Sequence, residues 1–188
     1  KKSIPDPLVK KPKIWNDFVL FTSNRRAKQK GEATLYAYEL HSGREVFIKE
    51  FPRDHPGQHV VPRLCKLENY LGEEDKKPLL IQVRKNEWGS SGGHIEQVEL
   101  IRLDRKNGHV LWRLATSENI QKGKSRFWSI VGEDGIRYVL YKKGTGLKLL
   151  NEDDGKIIWK DLLSSDEVKI SVMNNSLLLY QLGTHEVT

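Results

Sequence analysis

Apolar residues in this 188-residue chain fall in short alternating runs, separated by polar breaks rich in glycine, proline and charge. Period-two alternation over such short runs predicts β-strands. Strands are expected at 13–15, 17–22, 33–40 and 44–51, then at 60–67, 78–84, 94–104 and 110–115. A compact group follows at 127–131, 136–141, 147–150 and 156–162. Two more, at 168–173 and 176–182, are joined by Asn174-Asn175, a good two-residue turn. Alternation within 94–104 assigns Ile95, Val98, Leu100 and Leu103 to burial. No stretch carries a convincing helical period.

One piece of this pattern occurs three times. The segments LYAYELHSGREVF (35–47), IRLDRKNGHVLWR (101–113) and LKLLNEDDGKIIWKD (147–161) align on Gly43, Gly108 and Gly155. Four residues before the glycine stand Glu39, Asp104 and Asn151, and one before stand Ser42, Asn107 and Asp154. Four after stand Phe47, Trp112 and Trp159, preceded by Val46, Leu111 and Ile158. Each copy is a strand, a turn and a returning strand. The glycine is expected at positive φ, where a Cβ is costly, and the acidic or amide side chain is placed to bond turn amides. On the returning strand the aromatic takes one face and Val46, Leu111 or Ile158 the other. Apolar residues on both faces predict sheets packed between neighbours.

Asp104…Gly108…Trp112 and Asn151…Gly155…Trp159, with Glu39…Gly43…Phe47 as a weaker copy, resemble the pyrroloquinoline-quinone-type β-propeller repeat. The resemblance implies an all-β fold of antiparallel four-stranded blades, each repeat forming the last two strands of a blade and its aromatic packing between blades. The blades would span about 14–51, 60–115, 127–162 and 167–188, following an extended basic arm at 1–13. The repeat glycines are 65 and 47 residues apart; the second interval is a normal blade period, and the first is stretched by polar insertions. About three and a half blades do not close a ring, which takes roughly four to eight. The expectation is therefore a partial propeller belonging to a larger ring, completed by further chain or by self-association through its open faces.

Composition narrows the function little. Charged residues make up 30% of the chain and no run approaches the length of a membrane helix, so no membrane span is expected. The net charge of +7 permits an acidic partner, but the 25 acidic residues interleave with the 32 basic ones. The densest basic cluster, Arg25, Arg26, Lys28 and Lys30, is a candidate anion- or acidic-protein-binding loop. It lacks the interleaved aromatics of a base-stacking surface, so nucleic acid is a lesser alternative. Lys122, Lys124 and Arg126 form a weaker patch. Trp88, in a polar loop expected at 86–93, is the other candidate contact residue.

Nothing in the chain forms a recognisable catalytic group. His55 and His59 have a helical ligand spacing that Pro56-Gly57 forbids. The segment NEDDG (151–155) lacks the alternating ligands of a calcium loop, and GSSGG (89–93) lacks the lysine of a phosphate loop. Quinoprotein enzymes of the resembled fold use an adjacent cysteine pair, whereas Cys65 stands alone. No metal and no cofactor are expected. The function implied is a non-catalytic interaction or scaffold module that binds a protein partner through its long loops, in an extracytoplasmic setting. The alternatives are the non-catalytic part of a secreted quinoprotein-like oxidoreductase or hydrolase, and anion or nucleic-acid binding through 24–30.

Overall fold

The computed structural model describes residues 12–24, 33–54, 56, 58–68, 70, 73, 76–88, 94–115, 125–163, 169–173 and 176–180. Among these the regular structure is β-strand, with no α-helix. Two compact units are present: Lys1–Cys65 with Glu73–Ile120, and Lys66–Gly72 with Gln121–Thr188.

In the first unit, β1 (Lys13–Trp15), β2 (Phe18–Asn24), β3 (Ala33–Glu39) and β4 (Glu45–Phe51) form an antiparallel sheet in that order. A second antiparallel sheet takes β5 (His59–Leu64), β7 (Leu79–Trp88), β8 (His94–Leu103) and β9 (Val110–Ala115). Both are four-stranded meanders of the β-propeller blade type. One core holds them together. Leu35 and Ala37 of β3, Ile81 and Val83 of β7, and Ile101 and Leu103 of β8 are each at most 2% exposed and lie in the same apolar cluster. Alternation explains the choice: the named residues on each strand are two apart and share a face. The opposite face of β7 and β8 is covered too, with Leu80 and Leu100 at 1%.

In the second unit β10 (Arg126–Val131), β11 (Arg137–Lys143), β12 (Gly146–Asn151) and β13 (Ile157–Leu162) form a third antiparallel meander. Trp128, Leu140 and Leu147 fill its core, where they meet Ile170 of β14 (Lys169–Met173). A hairpin of β14 and β15 (Ser176–Tyr180) completes the described strands.

The third sheet contains a strand that local patterning does not reveal. The run expected at 60–67 breaks after Leu64. β6 (Leu67–Glu68) then pairs in parallel with Phe127 and Trp128 of β10, making a five-stranded sheet. Leu67 is 6% exposed and Phe127 4%, so burying an apolar pair drives the departure. Tyr70 follows with its ring 5.0 Å from the Arg137 guanidinium, which also donates to its hydroxyl.

The repeated turns share one backbone geometry. Gly43, Gly108 and Gly155 have φ of 65°, 71° and 71°. Their N–H groups donate to the carbonyls of Glu39, Asp104 and Asn151 at 2.9, 2.8 and 3.0 Å. The amides of those same residues donate forward to Arg44, His109 and Lys156 at 2.8, 2.8 and 2.9 Å. Side chains complete the turn. Ser42 Oγ, Asn107 Oδ1 and Asp154 Oδ1 accept from the amide two residues on, at 3.1, 2.9 and 2.9 Å. A register shift falls at the same repeat position in all three copies, before Tyr38, Leu103 and Leu150.

The outer face of the returning strands departs from expectation. Leu111 is 50% exposed and Ile158 49%, while Val46 is half-buried against the first core. The aromatics do pack: Phe47 is 6% exposed, Trp112 7%, and Trp159 lies against the second core. Apolar alternation on both faces thus reports coverage of the inner strands but not of β9 and β13.

Candidate functional site

Meander order sorts the connections of the first unit onto two ends. The repeat turns 40–43 and 104–108 lie at one end. There Leu40 N–H reaches the Asp17 carbonyl at 2.6 Å, tying the β1–β2 turn to the first repeat turn. At the other end β2 and β3 pair as far as Asn24↔Ala33, and β7 and β8 as far as Trp88↔His94. The connections 25–32 and 89–93 therefore both spring from this second end, as does the 52–58 linker that leaves β4.

A charged clamp fixes the linker there. Lys85 Nζ lies 2.8 and 3.0 Å from the two carboxylate oxygens of Asp54 and 3.3 Å from Glu99 Oε1. Its side chain is 10% exposed, against 51% for Asp54 and 19% for Glu99. Arg113 Nη1 stands 3.9 Å from the second Glu99 oxygen. Gln58, 2% exposed, accepts the Asp54 amide at 2.9 Å. Burial alone pulls the Lys85 ammonium down, but the Asp54 hydrogen bond and the Glu99 and Asp54 charges outweigh it and hold the group above its ordinary range. The lysine is therefore a permanent cation at neutral pH, the role of a structural clamp. A proton-transfer group would instead be tuned toward the working pH.

The sequence-predicted contact residues relate to this end as follows. Arg25, Arg26, Lys28 and Lys30 lie outside the described residues. Trp88 is the last residue of β7, paired with His94, rather than part of a loop beginning at Asn86. Long-range pairing extends the strand through polar residues that local propensity assigns to a turn. The repeat residues Glu39, Gly43, Asp104 and Gly108 sit at the opposite end, in turns. There Glu39 accepts the Ser42 hydroxyl and lies 3.5 Å from Arg44 Nε. The Ser42 hydrogen bond, opposed by slight desolvation and aided by Arg44, holds its carboxyl below the usual range. Asn151, Gly155 and Trp159 belong to the second unit. Lys85 and Glu99 were not singled out by sequence. Their signal was there: each continues the core face of its strand, Lys85 after Ile81 and Val83, Glu99 before Ile101 and Leu103.

A cleft of about 330 Å³ lies in the first unit, lined by Leu20, Leu35, Pro62 and Leu64 together with Lys13 and Arg63. The two cations suit an anionic group. Leu20 and Leu35 are already only 3% and 1% exposed, however, so a guest would cover little new apolar surface and gain little from it. Cys65 is buried, and desolvation raises its thiol well above the ordinary value, which makes it a poor nucleophile. Among the described residues no three His, Cys, Asp or Glu side chains gather as a metal site would require.

These features define an all-β protein of antiparallel, blade-type sheets with the 25–32, 52–58 and 89–93 connections of the first unit at one clamped end. No family model matches the chain, and no curated protein matches it. Among solved structures it is similar to the crystal structure of BamB from Moraxella catarrhalis, with 15% identity and a TM-score of 0.44. That match covers 90% of this chain and 39% of the other, so the chain spans well under half the length of that structure.

Proposed function

We propose that this chain is a non-catalytic interaction module that presents the 25–32 and 89–93 connections of its first unit to a protein partner. The observation that carries this is the Lys85–Asp54–Glu99 clamp, which locks the linker at the end where both connections arise. A rigid base lowers the ordering cost of binding, and loops on a rigid frame are the usual carriers of recognition. The basic residues Arg25, Arg26, Lys28 and Lys30 match an acidic surface on the partner. The resemblance of the Asp104…Trp112 repeat favours an extracytoplasmic setting and leaves the partner's identity open.

The test replaces 25–32 and 89–93, singly and together, by Asn-Gly turns. Circular dichroism checks the fold, and proteins captured from an extract of the source organism are compared quantitatively with those held by the wild type. Proteins retained by the wild type and lost from the shortened variants support the proposal. Equal retention by all four chains overturns it. A steep fall in DNA or RNA affinity with salt, abolished by shortening 25–32, would replace it with the nucleic-acid alternative.

A further inference from the structure

The cleft of the first unit joins a cationic lining to an apolar one, and strand register explains how. Lys13 of β1 pairs with Leu20 of β2, and Thr22 of β2 pairs with Leu35 of β3. Directly opposed residues share a face, as do residues two apart on one strand. All four therefore stand on one side of the first sheet, the side that carries Leu20 and Leu35 into the core. The second sheet contributes Pro62, Arg63 and Leu64 of β5. Neighbours on a strand alternate in face, so lining by all three sets the cleft along the edge of β5 rather than over one face. β1 and β5 are each the terminal strand of their sheet.

Three features select the guest. Lys13 and Arg63 are both exposed and border the same cleft, and no Asp or Glu is among the described residues that line it. Half-buried Thr22 adds a hydroxyl. A guanidinium, an ammonium and a hydroxyl all donate, which calls for an anion with several acceptor oxygens. Pro62 has no N–H, so the edge of β5 is a poor rail for an added peptide strand. Leu20 and Leu35 are already covered, so a long apolar tail gains little. The guest is compact and strongly charged. At about 330 Å³ the cleft stands at the lower end of small-molecule sites, which run from about 300 to 1,000 Å³.

We propose that this cleft binds a phosphoryl group, as inorganic phosphate or a small phosphate monoester, with Lys13 and Arg63 sharing its charge and Thr22 donating to an oxygen. A phosphoryl group carries close to two negative charges at neutral pH and so matches two cations; a monocarboxylate matches one. The guanidinium fork fits phosphate oxygens in pairs. The leucines and the proline lower the local dielectric and strengthen the attraction. None of the lining residues belongs to the 25–32 or 89–93 connections, so this inference stands apart from the partner-binding reading.

The test titrates inorganic phosphate into the isotope-labelled 188-residue chain at constant ionic strength and follows the backbone amides by NMR. Saturable shifts are expected at Lys13, Thr22 and Arg63. Lys13→Gln and Arg63→Gln each weaken binding about tenfold, the loss of one charge-assisted contact, and the double variant abolishes it. Lys160→Gln removes an exposed cation of the second unit and leaves the affinity unchanged. Acetate binds about tenfold or more weakly. Phenyl phosphate separates the two sources: tighter binding than inorganic phosphate assigns the site to a monoester, and equal or weaker binding assigns it to the free ion. Circular dichroism confirms that each variant is folded. Absence of saturable shifts at the cleft overturns the proposal. So does undiminished binding by the folded double variant, an equal loss on Lys160→Gln, or acetate binding as tight as phosphate.

Discussion

The ring of Phe47 lies over Gly108 so closely that a Cβ built on the glycine would meet Phe47 Cδ2 at 2.5 Å and Cγ at 2.8 Å. The aromatic of the first repeat thus packs on the turn glycine of the second. Gly108 serves two purposes: it supplies the positive φ of its own turn and it clears space for the neighbouring sheet. A second contact reinforces the join, with the Arg105 guanidinium of the same turn 5.8 Å from the Phe18 ring centroid. Repetition of a local motif becomes packing between sheets through these contacts.

Gly108→Ala and Gly43→Ala separate the two purposes. Both glycines have positive φ, at 71° and 65°, but nothing lies within 4 Å of a Cβ at Gly43. Gly43→Ala should cost about 1 kcal/mol from backbone strain alone. Gly108→Ala adds a clash with a buried ring and should cost about 2–4 kcal/mol. Urea unfolding followed by circular dichroism measures both. In a Phe47→Leu background the Gly108→Ala penalty should shrink by about 1 kcal/mol, since the two side chains share one space. Equal penalties at Gly43 and Gly108 would dissociate the glycine from the packing.

The turn side chains give a graded prediction. Asn107 Oδ1 and Asp154 Oδ1 each accept one exposed amide, from His109 and Lys156 at 2.9 Å. Asn107→Ala or Asp154→Ala should cost about 0.5–1.5 kcal/mol. Asn151 Oδ1 accepts from Asp153 at 2.8 Å and, more weakly, from Asp154 at 3.4 Å. Asn151→Ala should cost at least as much as Asp154→Ala, whereas Asn151→Asp keeps the acceptor and should be near neutral. Hydrogen exchange of the turn amides in each variant shows whether the loss is local.

The turns were legible in the sequence because their requirements are local: a glycine at positive φ, an acceptor four residues earlier and another one earlier. The four-strand rhythm was legible for the same reason, through alternation and breaks. The departure of β6 was not, because the partner of Leu67 is Phe127, and no local pattern announces a parallel pairing across that separation. The exposure of Leu111 and Ile158 was not, because alternation tells which face a residue takes but not whether anything covers that face. The clamp was half legible. Lys85 interrupts an apolar face begun by Ile81 and Val83, yet its partner Asp54 lies in a linker, where sequence offers only a turn.

That difference of coverage predicts unequal costs within one dipeptide. Leu111 is 50% exposed and Trp112 7%. Leu111→Thr should change stability by no more than about 0.5 kcal/mol, as surface changes do. Trp112→Ala removes a large buried side chain and should cost about 3–5 kcal/mol. On β13, Ile158→Thr should be as mild as Leu111→Thr. A large loss at Leu111 or Ile158 would mean that the face is covered in solution.

Lys85 ties stability to pH in a direction fixed by its pairing. Its folded state holds the proton more tightly than an unfolded lysine, because Asp54 and Glu99 outweigh the effect of burial. The stabilisation is therefore fully present below the unfolded pKa of about 10.4 and is lost as pH rises through the higher folded value. Lys85→Met keeps most of the volume and removes the charge, leaving the more distant Arg113, 3.9 Å away, beside Glu99. Asp54 is half exposed, so water takes over part of the lost contact. The cost at neutral pH should be about 1–3 kcal/mol, below that of a fully buried pair. Paired urea titrations of wild type and Lys85→Met should show a constant gap from pH 7 to about 10 and a narrowing gap above it. Lys85→Met should also speed hydrogen exchange at the Asp54 amide, which Gln58 now holds at 2.9 Å, because the linker loses its anchor. A gap that widened with alkaline pH, or a linker amide as protected as before, would remove Lys85 from the role of clamp.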